Sequence, residues 1–165
     1  MEYGVGDRIV YPLHGAGIID SIEEKEVLGE SRRYYNLKLS HSNLQLKVPV
    51  DNAGDLGIRP VMAETEVGEV FRHLKCPCAA ASQNWNKRYR ESLDKLRSGN
   101  IYEAAEVYKS LRMRERDRSL STGEKKLLTT AKNILFSELV LASGKEIYEV
   151  EEEVNGIIDQ CIEEL

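Results

Sequence analysis

The residues in this chain with chemistry to offer are cations grouped around a single tryptophan. Trp85 is followed closely by Lys87, Arg88 and Arg90, with Arg97 further along the same segment. Arg112, Arg114, Arg116 and Arg118 form a second group, and Lys125 and Lys126 a third. An aromatic flanked by Lys and Arg suits a polyanion made of bases and phosphates: the apolar side chain wedges at the edge of a base step while the cations neutralise the phosphates around it. A plainer reading stands beside it. Glu91, Asp94, Glu115 and Asp117 lie among the arginines, and exposed pairs of that kind contribute little. Cations closing a helix also complement its dipole, and Trp85 can serve as a half-buried anchor on the face it shares with Tyr89.

Other chemistries find less support. His14, His41 and His73 are scattered, and no G-x-S-x-G, H-E-x-x-H or Walker-type loop occurs. Gly4-Val5-Gly6 and Gly15-Ala16-Gly17 read as turn glycines. The chain is therefore expected not to be an enzyme, and to need no cofactor and no small-molecule substrate. His73, Cys76 and Cys78, with Cys161 as a fourth ligand, make the best metal candidate, but structural zinc prefers paired two- to four-residue spacings. Here the inner spacing is one residue, so no metal is expected. Three cysteines cannot all pair within one chain, and read as reduced thiols.

Charge sharpens the first reading. Over 165 residues the net charge is −5, which alone argues against nucleic acid, but the average hides three parts. Residues 1–75 hold 9 Lys/Arg and 12 Asp/Glu, residues 76–145 hold 14 and 8, and residues 146–165 hold none and 8. A basic centre of +6 next to an acidic end of −8 is the asymmetry that points to a polyanionic partner. The acidic end is expected to limit non-specific DNA binding by competing for the basic face. No stretch approaches the roughly 18 apolar residues of a membrane span, and the first residues lack a basic and apolar leader. A cytoplasmic protein with no membrane partner is expected.

The elements that must position these residues fall into two halves. Up to about residue 62 the pattern has period 2: Arg8–Tyr11 stops at Pro12, Leu28-Gly29-Glu30 reads as a hairpin turn, and Tyr35, Leu37 and Leu39, then Leu44, Leu46, Val48 and Val50, alternate with polar neighbours. Five short strands in about 60 residues imply a small antiparallel barrel, with Pro49 at an edge or strand end. From residue 63 the period becomes 3.6. Thr65 and Ser82 are expected to cap the first two helices, Asn100 the third and Ser121, with Glu124 three residues on, the fourth. Gly99 and Gly144 are expected terminators, and a last amphipathic helix carries Ile147, Val150, Val154 and Ile158. The expected fold class is α+β in two domains, a β-barrel over 1–62 and an all-α bundle over 63–165.

Several of these segments resemble one family. Val10-Tyr11-Pro12-Leu13-His14-Gly15-Ala16-Gly17, Ile22-Glu23-Glu24-Lys25, Tyr34-Tyr35-Asn36-Leu37-Lys38-Leu39, Val48-Pro49-Val50-Asp51-Asn52-Ala53 and Gly57-Ile58-Arg59 look like the RNA polymerase-interacting domain of the CarD family, which transcription-repair coupling factors share. Trp85-Asn86-Lys87-Arg88-Tyr89-Arg90, Lys95-Leu96-Arg97-Ser98-Gly99 and Leu120-Ser121-Thr122-Gly123-Glu124-Lys125-Lys126 resemble that family's C-terminal part. The match runs in order from about residue 3 to 142. The resemblance implies a bacterial, nucleoid-associated transcription regulator. Its Tudor-like (SH3-like) barrel would bind the β subunit of RNA polymerase, and its helical domain would touch promoter DNA at the upstream edge of the −10 bubble, stabilising the open complex. By the same resemblance Lys25 and Lys47 face the β subunit, as point charges rather than guanidinium forks. Trp85 is then the minor-groove wedge, Lys87, Arg88, Arg90 and Lys125 face phosphates, and Lys126 and Arg97 extend that set. The alternative is a peptide-binding Tudor-like adaptor without promoter action, in which Tyr3, Tyr11, Tyr34 and Tyr35 would have to converge on one exposed pocket.

Overall fold

Alternating residues pair five strands into one antiparallel sheet. A computed structural model describes residues 2–42, 44–76 and 84–163. In it β1 (Arg8–Tyr11), β2 (Gly15–Val27), β3 (Glu30–Leu39), β4 (Gln45–Pro49) and β5 (Arg59–Pro60) lie in the order β4-β3-β2-β1-β5. Ile9, Ile19, Tyr35, Leu37, Leu39 and Val48 turn to one core, with Ala53 and Ile58 from the connection before β5. Leu28 and Gly29 close the β2–β3 hairpin with φ of 52° and 79°, the two-residue turn with positive φ at both centres that matches strand twist. A register slip between Ile19 and Ser21 marks a bulge in the β2–β3 ladder. Pro49 ends the edge strand β4, where no ladder donor is required.

The 3.6-residue period then builds α1 (Val67–Lys75), α2 (Trp85–Arg97), α3 (Ile101–Asp117), α4 (Thr122–Ser143) and α5 (Ile147–Glu163). The α+β class is as the sequence implies; two caps differ. Thr65 sits inside a single 3-10 turn (Glu64–Glu66), and α1 starts after Glu66 without a side-chain cap. Ser82 lies outside the described residues, and Asn84 caps α2, its side-chain oxygen accepting from the Lys87 N–H at 3.1 Å. Asn100 and Ser121 cap α3 and α4 as expected, and Gly99 and Gly144 follow α2 and α4 in the left-handed region.

The acidic end is built into the bundle. Val150, Val154 and Ile158 of α5 join the helical core, each worth roughly 1.5–3 kcal/mol of burial. The Tyr108 hydroxyl donates to Asn155 Oδ1 at 2.7 Å. Glu151 pairs with Lys132, Glu153 with Lys145, and Asp159 with Arg112. A helix held this way is a wall of the domain, so the expectation that it competes for the basic face gives way: its packing energy far exceeds what exposed ion pairs elsewhere could return.

Sheet and bundle meet along α4, which packs on β2. The Ala16 N–H donates to Ser137 Oγ at 2.8 Å, and the Ser40 hydroxyl to the Ser137 carbonyl at 2.9 Å. At the centre Glu138, 0% exposed, accepts from Arg59 Nη1 at 2.7 Å, Arg59 Nη2 at 2.6 Å and the Met62 N–H at 2.8 Å. Arg59 Nε donates to the Gly99 carbonyl at 2.8 Å. One guanidinium thus ties β5 to α4 and to the α2–α3 turn.

Candidate nucleic-acid interface

Trp85 opens α2 directly after its cap, and the residue remains 42% exposed. What holds the ring is specific. It stacks on Tyr89, one helical turn later, with centroids 5.2 Å apart and planes 18° from parallel. Its Nε1 donates to Ser121 Oγ at 3.2 Å. A Cβ added to Gly123 would lie 3.3 Å from both the Trp85 and Tyr89 rings, so the first turn of α4 offers a flat seat that a larger residue would fill. The two sequence readings of Trp85 therefore both hold: it is anchored on one face and presented on the other.

The cations around it separate into two kinds. At 100° per residue, Lys87 projects from the side of α2 opposite Tyr89 and Leu96 and Arg90 from the flank, and both are exposed. Lys87 approaches Glu91 only at 4.0 Å. Lys125 and Lys126 are exposed on the first turns of α4, beside the Ser121 that holds the tryptophan. Arg88 behaves otherwise. Its side chain is 11% exposed and its Nε lies 3.4 Å from Glu124 Oε2, which Arg114 Nε approaches at 3.1 Å. Arg88 thus braces α2 against α3 and α4. Arg97 closes α2 twelve residues after Trp85, about 18 Å along the axis, and lies away from the cluster.

Glu124 is the residue that sequence reasoning assigned too small a part. As the third residue of a capping box it gives its N–H to Ser121 Oγ at 3.2 Å, as expected. Its carboxylate does more, accepting from the Ser121 hydroxyl at 3.2 Å while facing both arginines. Ser121 is thereby oriented to receive the tryptophan N–H. The spacing of Ser121 and Glu124 gave the cap; nothing in it revealed arginines from 36 and 10 residues upstream.

On the sheet, Lys25 and Lys47 come together although 22 residues separate them. Both are exposed. Glu23 Oε2 accepts from Lys47 Nζ at 2.8 Å, which lowers the Glu23 carboxyl and raises the Lys47 amine. The neighbouring Lys47 amine pushes Lys25 down, the sign of two cations sharing a small area with one carboxylate between them.

The other candidates do not assemble. Tyr35 is buried, its hydroxyl accepting from the Tyr3 N–H at 2.9 Å, and Tyr11 lies against the sheet core and His14, so the four tyrosines form no exposed cage. His73 packs on Tyr102, with ring centroids 4.4 Å apart. Cys161 Sγ faces the Leu74 and Lys75 carbonyls at 3.8 and 3.9 Å. Among the described residues no group of three or more His, Cys, Asp or Glu is placed to hold a metal; Cys78 lies outside them. No helix among them is long and apolar enough to cross a membrane.

Both halves of the chain match known proteins. Residues 3–62 match the CarD-like/TRCF RID domain, and residues 69–155 match the C-terminal domain of CarD. A protein of Bacillus subtilis (strain 168), named "Putative transcription factor YdeB", is 38% identical over 145 residues, covering 86% of this chain and 93% of its own length.

Proposed function

The chain belongs to the CarD family of transcription regulators, non-enzymatic proteins that carry an RNA polymerase-interacting domain, and on that premise we propose that it stabilises open promoter complexes. The barrel-like sheet docks on the polymerase β subunit through Lys25 and Lys47. The start of α2 meets promoter DNA at the upstream edge of the melted bubble. The observation that carries this reading is Trp85: a half-exposed indole, held at its edge by Ser121 and on its face by Tyr89, among the exposed cations Lys87, Arg90, Lys125 and Lys126. A pre-positioned ring loses little conformational freedom when it wedges against a base step. Crowded cations at Lys25 and Lys47 favour an acidic partner surface, which would relieve their mutual repulsion.

The mechanism is linkage. A protein that touches the fork only after the strands part binds the open complex better than the closed one, and shifts the equilibrium by that difference. A stacked or wedged aromatic is worth about 1–3 kcal/mol, hence roughly 5–150-fold in open-complex occupancy if the contact is fully differential. Anchoring through the sheet raises the local concentration of α2, so weak, non-specific phosphate contacts suffice. Arg88, held by Glu124, acts here by keeping Trp85 in register rather than by meeting phosphate itself.

The test is open-complex lifetime after competitor challenge, read alongside co-purification with polymerase. Trp85→Ala shortens the lifetime and leaves co-purification intact, whereas Lys25→Glu with Lys47→Glu abolishes co-purification. Unchanged lifetimes for the first, or a retained complex for the second, would refute the corresponding contact.

A further inference from the structure

Between α2, the end of α3 and the end of α5 lies a cavity of about 420 Å³. Four guanidinium groups line it, those of Arg88, Arg114, Arg116 and Arg118, against one lining carboxylate, Asp117. Elsewhere several of the bundle's cations each meet a carboxylate of their own, as in Lys95 with Glu106, Lys132 with Glu151 and Lys145 with Glu153. Here Glu124 faces both Arg88 and Arg114. Arg114, Arg116 and Arg118 outnumber Glu124 and Asp117, so the lining is net positive among the described residues. The shared pair is also imperfect: Arg114 Nε and Glu124 Oε2 are within ion-pair distance, yet both are buried atoms that make no hydrogen bond. Buried polar atoms in that condition are unusual and point to a missing partner.

Leu111, Met113 and Ile162 supply an apolar part of the wall. A bare phosphate would use the arginines and leave that wall idle. The volume falls within the roughly 300–1,000 Å³ of small-molecule sites, which occur between the helices of bundles. Guanidinium forks bind phosphate oxygens bidentately and also stack on planar rings.

We propose that this cavity binds a nucleoside di- or triphosphate, its phosphates on Arg114, Arg116 and Arg118 and its base against the apolar wall. The site is wired to the tryptophan. Arg114 faces Glu124, Glu124 accepts from Ser121, and Ser121 accepts from Trp85. A phosphate that draws Arg114 towards the cavity loosens Glu124 on Ser121, so occupancy alters how the indole is held. The ligand is an effector of the indole's position; it is not consumed.

The experiment uses the whole chain at physiological ionic strength. GDP, ADP, pyrophosphate and inorganic phosphate are titrated by calorimetry, with the emission of Trp85, the single tryptophan, followed in parallel. Expected is one saturable site for a nucleoside diphosphate, at least about ten-fold tighter than for inorganic phosphate and weakened by a similar factor in Arg116→Gln/Arg118→Gln, with a change in Trp85 emission that tracks occupancy. Equal affinity in the double variant overturns the site. Equal affinity for inorganic phosphate reduces it to adventitious ion binding and overturns the ligand class. Saturable binding with unchanged emission overturns the link to Trp85. If no nucleotide binds and the double variant instead weakens duplex DNA binding, the cavity belongs to the DNA face and the proposal falls. Because the readout is binding to the free chain, it stands apart from the open-complex reading.

Discussion

Replacing Arg59 by Met removes the tie between sheet and bundle, and its cost follows from what is left behind. Glu138 is fully buried and accepts three hydrogen bonds, two of them from Arg59. Arg59→Met leaves that carboxylate with the Met62 N–H alone and strands the Gly99 carbonyl. Removing one partner of a buried ion pair costs about 3–5 kcal/mol, because a charge remains in the interior unpaired. The Arg59 side chain is 30% exposed, so water reaches the vacated fork and the lower end applies, about 3 kcal/mol. In urea, with a slope of roughly 1–3 kcal/mol per molar, that moves the unfolding midpoint down by about 1–3 M. The double variant Arg59→Met/Glu138→Met removes both charges, and is expected to be more stable than Arg59→Met alone. Far-UV circular dichroism reads the loss of secondary structure as a whole and Trp85 emission reads the bundle around α2, both in one titration. A loss below about 1 kcal/mol, the range of exposed pairs, or a double variant no better than the single, would refute the account of Arg59 as the pin between the two halves.

Three further outcomes follow from the geometry. Lys47, then Asn36, holds the Glu23 carboxyl below its ordinary 4.5; this stabilisation is present above the unfolded value and is lost as pH falls through the lowered folded one. Carboxyl NMR titration of Lys47→Met should find Glu23 moved up towards its ordinary value, with Asn36 still holding part of the shift, and an unmoved midpoint would exclude Lys47 as the cause. Burial lowers His41 from its ordinary 6.5, so the unfolded chain binds that proton more readily and stability declines as pH drops below about 6.5. His41→Gln should flatten that part of the thermal-stability profile, and a slope equal to the parent's would count against it. At Gly15 φ is 118° and an added Cβ would lie 2.8 Å from Ser137 Oγ, whereas at Gly29 φ is 79° with nothing nearby. Gly29→Ala should cost about 1 kcal/mol of backbone strain, and Gly15→Ala about 3 kcal/mol once the contact is added; equal losses in urea unfolding would show that Ser137 yields freely.

What the sequence made legible was local. The Leu28-Gly29 turn, the alternation of Tyr35, Leu37 and Leu39, and the caps at Asn100 and Ser121 each depend on residues within four positions of one another, so periodicity and turn chemistry suffice. The start of α1 was misjudged at that same scale: Thr65 is a good cap by type, yet the chain takes a 3-10 turn there and leaves the cap unused. Arg59 and Glu138 lie 79 residues apart, and a Glu in the middle of an apolar helix carries no mark of its partner. The acidic end reads as an amphipathic helix and yet as a polyanion able to compete for the basic face, because its period does not say what its apolar side packs against. Once Val150, Val154 and Ile158 are placed every fourth residue on a buried face, the carboxylates become the outer side of a packed helix.

Arg88 shows how charge reading and packing reading part company. By type and spacing it belongs with Lys87 and Arg90, since all three lie within five residues of Trp85. Helical phase divides them: Lys87 and Arg90 face out, while Arg88 shares its side of α2 with Ser92 and Leu96, where Glu124 waits. Phosphate recruited by Arg88 would have to displace a carboxylate that also orients Ser121, and so would release the indole it was meant to support. A DNA contact and a brace are therefore opposed roles for this residue. On the function proposed above, the brace would keep Trp85 in place before DNA arrives, so that a wedge there would act on the open complex without first being ordered by it.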